Sequence, residues 1–331
     1  TLRCDEPLMY EVVATRPGVA QDVVEVRSMV LGQRERGMLR IRMLASTINP
    51  SDLVTIAGAY RSRTSFPFIG GFEGVGEVVA ADPCTSLVEG TRVIPIRRAG
   101  CWSELRDVPE SDCVPVPEYL STERACFAYI NPMTTVSMVS RYVTGHGPVI
   151  VTAATSEAAT QIAALLKFRN VPAIGITRSS DRPPSNGKLW SAIIATDAPE
   201  WEERLYAAAG QSAHVVFDAV GGLNAGKVAR ALEPGGQFIS YGLLSGTPIH
   251  GSWEFPSHVE LKYFHLRQDA HNSDPVQFAQ RFEEVFQFVA SGLLATTPAA
   301  KFPLSQIRGA LAWNSANRGK VLLEINAEAP R

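Results

Sequence analysis

The chain has 331 residues, 45% hydrophobic and 19% charged, with a formal net charge of -2. That is a globular composition; it gives no general field for nucleic acid or an anionic membrane, and no apolar run reaches the length of a membrane span. The five cysteines, Cys4, Cys84, Cys101, Cys113 and Cys126, are scattered and form no C-x-x-C pair, which argues against a disulfide framework or a structural zinc lobe and reads as free buried thiols.

The length suggests two domains. The first residues show neither a basic-apolar signal peptide nor an Arg/Ser-rich transit segment, so the expected compartment is the cytoplasm. From Glu11 to Leu44, short apolar runs broken by Gly18, Gly32 and Gly37 lack a helical period and predict a β-rich start. A dense constellation follows: Thr47-Ile48-Asn49-Pro50-Ser51-Asp52, then Gly58-Ala59-Tyr60, then Gly70-Gly71-Phe72-Glu73-Gly74-Val75-Gly76. Glycines at 70, 71, 74 and 76 mark backbone that must turn or be approached closely. Val88 to Ile96 reads as a turn feeding a strand, and Gly100-Cys101-Trp102-Ser103-Glu104 begins another.

A helix predicted over Met133 to Tyr142 leads into the unit around which the second half is organised. Val149 to Val151 reads as a strand, Thr152 to Ser156 as a small-residue turn and Glu157 to Phe168 as a helix. The apolar run Val171 to Thr177 then ends on Arg178-Ser179-Ser180, giving the shape of the first βαβ of a nucleotide-binding sheet. The turn carries no G-x-G-x-x-G, the fingerprint that lets backbone approach a pyrophosphate. Thr155 or Ser156 can cap the helix, and the helix dipole favours Glu157 in the first turn. A carboxylate ~5 Å from a bound phosphate costs ~3 kcal/mol at an effective dielectric of about 20, unless Glu157 turns into water.

The alternation continues: Leu189 to Ala195 as a strand, Trp201 to Ala209 as a helix, His214 to Ala219 as a strand, Asn224 to Leu232 as a helix and Gln237 to Gly242 as a strand. That order predicts a parallel doubly wound sheet. Ser273-Asp274-Pro275 starts a helix whose stripe Phe278, Phe282, Val285 and Val289 reads as core, ending at Gly292.

Taken together, I-N-P-S-D, G-x-Y, G-x-E-G-V-G-x-V, E-G-T-R-V-I-P and G-C-W-S-E, in this order and spacing, resemble the catalytic domain of the medium-chain dehydrogenase/reductase superfamily. Asn131-Pro132-Met133-Thr134-Thr135, Asp218-Ala219-Val220-Gly221-Gly222, Pro234 to Gly242 and Gly319-Lys320-Val321 extend the resemblance over almost the whole chain. It implies an α/β protein with a GroES-like β-rich catalytic domain over 1–128 and 270–331 and a Rossmann doubly wound parallel sheet over 129–269. Zinc members carry G-H-E where this chain has Gly71-Phe72-Glu73, and phenylalanine cannot ligate a metal, so no metal is expected. Of the zinc-free branches, Asn49-Pro50 with Gly74-Val75-Gly76, and Asn131-Pro132 with Thr134, look more like the mitochondrial-type 2-enoyl thioester reductases than the quinone reductases.

The resemblance implies Tyr60 as the donor to a developing enolate, with Asn49 beside it in the catalytic set, Asn49 and Asn131 holding the nicotinamide end or the substrate carbonyl, and Thr134 in the cofactor set. A structural tyrosine and asparagines fixing their own turns are the plain readings. Ser156 belongs to the phosphate turn. At the end of the second strand, Arg178, Ser179 and Arg182 suit a 2′-phosphate and point to NADPH, against a reading as a solvated loop. Tyr241, Gly242 and Leu243 resemble the stretch whose backbone lines the cofactor. Phe264 and Leu266 flank His265 where enoyl reductases carry a tryptophan, and Lys320 sits where the family often has a cofactor-contacting lysine, although the end of a surface loop is a usual place for one. Arg61 and Arg63 either form a basic loop or meet the phosphates of an acyl carrier.

The expected function is NADPH-dependent, zinc-free reduction of an activated C=C bond, with a 2-enoyl thioester on coenzyme A or a carrier protein as substrate. A quinone or free enone is the rival substrate. A family member that kept the fold and weakened its cofactor site, motivated by the glycine-free turn, is the reading from another class. The expected partners are a small-molecule substrate and a second copy, paired as a homodimer through edge strands near Ile249 to Leu266, with no nucleic acid or membrane.

Overall fold

The computed structural model describes residues 9–60, 62–249 and 255–326; Cys4, Arg61 and His250 lie outside them. The chain divides into two compact units, Thr1–Ile130 with Ala295–Arg331, and Asn131–Leu294. No helix among the described residues is long and apolar enough to cross a membrane.

The first unit is β-rich, as the absence of a helical period predicts. Its strands are β1 (Met9–Ala14), β2 (Val24–Met29), β3 (Met38–Thr47), β4 (Phe68–Ile69), β5 (Gly74–Ala80), β6 (Arg92–Pro95), β7 (Leu105–Pro109) and β8 (Cys113–Pro115). In β3 alternate residues turn inward, and Leu39, Ile41 and Met43 pack with Val78, Val93 and Val108. Trp102, fully buried, donates its indole N–H to the Thr47 carbonyl at 3.0 Å. Its ring explains the paired glycines: a Cβ on Gly70 would lie 2.3 Å from the indole, and Gly71 turns beneath it at φ +88°.

The second unit carries β9 (Val149–Val151), β10 (Ala173–Thr177), β11 (Ala192–Ala195), β12 (Ala213–Asp218), β13 (Leu232–Ser240) and β14 (Glu260–Tyr263). All pair in parallel in the order β11-β10-β9-β12-β13-β14, so the order reverses between β9 and β12. That is the doubly wound topology with its switch point at the strand predicted to lead it. Helices Glu157–Phe168 and Trp201–Ala209 match their predicted bounds, and Asp274 caps Pro275–Ser291 by accepting from the Val276 and Gln277 N–H groups.

The strand expected from Leu189 begins only at Ala192, after a 3-10 turn over Gly187–Leu189, and three further expectations on this unit need correction. The helix expected over Asn224 to Leu232 is only Ala225–Ala229, because Leu232 already pairs with Ala213 in the sheet. Strand β13 starts there rather than at Gln237, with an irregularity that absorbs Pro234-Gly235-Gly236. The return to the first unit comes at Ala295 rather than at 270. Helix Pro275–Ser291 is bound to the second unit: Arg281 donates to Ser137 and to Asp269, and Phe288 meets Phe168 edge-on.

After that return, β15 (Ala300–Pro303) and β16 (Val321–Glu324) complete the first unit's larger sheet, in the order β15-β16-β3-β5-β6-β8 with β7 also on β3. Strand β16 lies antiparallel to β3, with Leu322 opposite Thr47. This pairing brings the C-terminal segment beside Asn49. Of the described cysteines, Cys101, Cys113 and Cys126 are buried but Cys84 is exposed, a departure from the expectation that all are buried.

Candidate active site

In the first unit, β3 ends at Thr47 and the helix Pro50–Ile56 begins two residues after Ile48, with proline in its first turn. Asp52, in that helix, accepts from the N–H of Asn49 at 2.8 Å and from those of Gly71 and Phe72 at 3.0 Å. It therefore ties the helix start to the Gly71-Phe72-Glu73 loop. The Glu73 carboxylate accepts from the Asn49 amide at 2.8 Å, the Ile130 N–H at 2.8 Å and the Tyr129 N–H at 3.1 Å. The Lys320 ammonium donates to the Asn49 side-chain oxygen.

Asp52, Glu73 and Lys320 are all buried, so two carboxylates share one cation in a low-dielectric interior. Burial pushes Asp52 up to about 7, against the backbone hydrogen bonds it accepts from Asn49, Phe72 and Gly71. Burial also raises Glu73, opposed by the Lys320 charge. The Cys101 thiol is pushed up to about 11 by burial and stays protonated at neutral pH.

This geometry corrects two expectations. Asn49 is 1% exposed and its amide is engaged by Glu73 and Lys320, so its side chain serves to position the cluster. Lys320 is not the tip of a surface loop but a buried cation just before β16. Asp52 and Glu73 are the residues sequence reasoning passed over as site residues; the available signal was a carboxylate closing I-N-P-S-D and another inside the glycine-rich run from Gly70 to Gly76.

Tyr60 lies beyond the same helix, half-buried, with the Arg63 guanidinium 4.7 Å from its ring centroid. Phe72 offers no metal donor and packs against Phe68, ring centroids 6.1 Å apart. Among the described residues no group of three His, Cys, Asp or Glu side chains is placed to hold a metal ion.

In the second unit, the turn after β9 keeps a fingerprint-like path without its glycines. Ala153 takes the left-handed conformation at φ 51°, the Ser156 N–H returns to the Ala153 carbonyl at 2.8 Å, and the Ala154 N–H reaches Ile176 at 2.9 Å. The room for Ala154 comes from the neighbouring strand: a Cβ on Gly175 would lie 2.9 Å from that of Ala154. Ser156 caps the helix through its hydroxyl, accepting from the Ala159 N–H at 3.2 Å, as the cap reading expected. Glu157, in the first turn, is half-exposed.

The carboxyl ends of the strands hold most of the other candidates. Thr152 donates to Asp218 at 2.8 Å, and Asp218 also accepts from the Gly221 N–H at 2.8 Å, which joins the turns on both sides of the switch point. Arg178 projects exposed from the end of β10 and makes no ion pair among the described residues; Arg182 is exposed and Ser179 half-buried. Ser180 donates both its N–H and its hydroxyl to Asp197, a residue the sequence reading did not single out.

Tyr241 follows β13 with its hydroxyl buried and without a hydrogen-bond partner among the described residues, and burial raises its pKa. Gly242 is needed for packing, since a Cβ there would meet the Ala219 carbonyl at 2.9 Å, and Leu243 is exposed. Asn131 and Thr134 lie in the helix Ile130–Tyr142, which starts three residues earlier than predicted; Asn131 is half-buried and Thr134 buried. Phe264 is buried under the Arg141 guanidinium, 5.7 Å from its ring centroid, and Leu266 opens the helix Leu266–Asn272.

A dinucleotide fits these residues. The strand order supplies the switch point, the capped helix the first-turn N–H groups, Arg178 a cation without an ion pair among the described residues, and Tyr241 a buried hydroxyl that lacks, among those residues, the partner buried polar groups normally have.

Comparison with known proteins agrees. The family model of the alcohol dehydrogenase GroES-like domain matches residues 35–118, and that of the zinc-binding dehydrogenases matches residues 191–323. The chain belongs to the medium-chain dehydrogenase/reductase superfamily. Within the superfamily it is 28% identical over 302 residues to the human mitochondrial enoyl-[acyl-carrier-protein] reductase, covering 87% of this chain and 81% of that protein. A Bacillus thuringiensis structure assigned as an NADPH:quinone reductase superposes with a TM-score of 0.88 at 26% identity, over 96% of this chain and 99% of that one. The Escherichia coli quinone oxidoreductase, solved with NADPH, shares the fold with a TM-score of 0.85 at 19% identity, over 95% of this chain and 99% of that one.

Proposed function

We propose that this chain is an NADPH-dependent oxidoreductase that reduces the C=C bond of a 2-enoyl thioester. The observation that carries the reading is its similarity to the human enoyl reductase along 87% of its length. NADPH, when bound, supplies a hydride. Arg178 and Ser179 hold the 2′-phosphate, with Arg182 beside them. The first turn of the Ser156-capped helix receives the pyrophosphate, the Tyr241 hydroxyl finds the partner it lacks, and the backbone of Gly242 and Leu243 lines the site with Phe264 and Leu266. Asn131 and Thr134 stand at the nicotinamide end.

Reduction at the β-carbon drives negative charge onto the thioester oxygen. The Tyr60 hydroxyl donates to that oxygen and supplies or relays the proton that the α-carbon takes up, its own proton being replaced from water. Asn49, Glu73 and Lys320 act behind it by fixing the start of the helix that leads to Tyr60. A homodimer through β14, the edge strand of its sheet, belongs to the same reading.

One observation favours a second substrate class: the Bacillus thuringiensis neighbour is assigned as a quinone reductase. A quinone takes the hydride without needing an oxyanion donor at Tyr60. Binding titrations with NADPH and NADH test the shared step. NADPH-selective binding supports the reading, and failure to bind either nucleotide refutes it.

A further inference from the structure

Sheet register brings together two loop segments that the sequence keeps apart. Thr177, the last residue of β10, pairs with Ala195, the last of β11, so both chains leave the sheet side by side. The Asp197 carboxylate thereby receives the Ser180 N–H at 3.0 and 3.1 Å and the Ser180 hydroxyl at 3.3 Å. The adjoining Ser179 hydroxyl accepts from the Asp181 N–H at 3.3 Å. Arg178, two residues from Ser180, makes no ion pair with this carboxylate.

We infer that Asp197 is a specificity-determining residue that competes with the 2′-phosphate of NADPH for the donors of the 178–182 loop. The inference rests on the reading of this loop as the 2′-phosphate site. A phosphate oxygen needs backbone N–H and hydroxyl donors close to a guanidinium. Ser180 has both, and both already serve a carboxylate. The hydrogen bonds from the Ser180 N–H and from the Ser179 and Ser180 hydroxyls hold Asp197 below the usual carboxylate range, so at neutral pH it faces the charged phosphate as an anion. A bound 2′-phosphate therefore either displaces Asp197 from Ser180 or lies next to a like charge. NADH has a hydroxyl in place of the phosphate and meets neither obstacle; a carboxylate can even accept from it. Asp197 thus narrows the preference that Arg178 creates.

Asp197→Asn isolates the charge, because the amide oxygen still accepts from the Ser180 N–H and keeps the turn. Heats of binding for NADPH and NADH are measured on the native chain and on Asp197→Asn, each at low and at high salt. The expected result is a rise of about tenfold in the NADPH-to-NADH affinity ratio of the variant at low salt, shrinking at high salt. An unchanged or lower ratio, with both nucleotides still bound, overturns the role of Asp197 and leaves the cofactor reading standing. Binding of neither nucleotide by either protein overturns both. Asp197→Ala guards against an effect peculiar to the amide: the ratio must rise there too, and a fall would make Asp197 a scaffold for the phosphate loop instead of its competitor.

Discussion

The Asn49 amide donates to the Glu73 carboxylate at 2.8 Å while its oxygen accepts from the Lys320 ammonium. One neutral side chain therefore bridges the buried carboxylate and the buried cation. Asn49→Ala removes one donor from Glu73, which keeps the Tyr129 and Ile130 N–H groups, and one acceptor from Lys320 in a buried cluster. The expected cost is about 3 kcal/mol of unfolding free energy. Urea titration measures it, and a loss below about 1 kcal/mol would mean that the cluster does not depend on Asn49.

Asp52 gives this cluster a pH signature. Its folded pKa is about 7, against ~3.9 for an aspartate in the unfolded chain. Between those values the folded state holds a proton that the unfolded state has released, so the contribution is complete below the lower value and is lost as pH rises through the upper one. Glu73, also raised by burial, acts with the same sign. Stability of the native chain should fall from about pH 4 to about pH 7 more steeply than that of Asp52→Asn, which cannot titrate. Equal slopes for the two proteins would place the protonation elsewhere.

Ala153 occupies the left-handed region at φ 51°, where a β-carbon is strained and a glycine is not. Ala153→Gly should raise stability by about 0.5–1 kcal/mol, the relief of strain exceeding the entropy that glycine adds to the unfolded chain. Thermal unfolding reads the shift. Destabilisation would show that the alanine methyl makes packing contacts worth more than the strain.

How far the sequence could be read follows from how local each signal is. Glu157–Phe168 and Trp201–Ala209 carry their helical periods within their own residues, and Asp274-Pro275 and Gly292 bracket the last helix of the second unit. Strand β13 was legible only in its second half, because its first residue is fixed by a partner on β12 and Pro234-Gly235-Gly236 looks like a turn in isolation. The site shows the same limit. Arg178 and Ser156 announce themselves by position in a βαβ unit, whereas Lys320 lies 271 residues from Asn49, and only the pairing of β16 with β3 makes them neighbours. Asp197 escaped notice for that reason also: its meaning comes from the register of β11 on β10.

Tyr60→Phe removes the hydroxyl and keeps the ring under Arg63. If Tyr60 serves the enolate, turnover of a 2-enoyl thioester should fall by about 10²-fold while reduction of a quinone changes little. Steady-state kinetics with both substrates on one preparation decides it. Equal losses on both would make Tyr60 a structural residue, and no loss on either would remove it from the chemistry.

The most direct measurement is NADPH oxidation by the native chain with crotonyl-coenzyme A and, in parallel, with a simple quinone. A higher kcat/KM for the thioester, with the saturated acyl thioester recovered as product, is the predicted result. Oxidation driven by the quinone alone, with the thioester left unreduced, would contradict the enoyl reductase assignment.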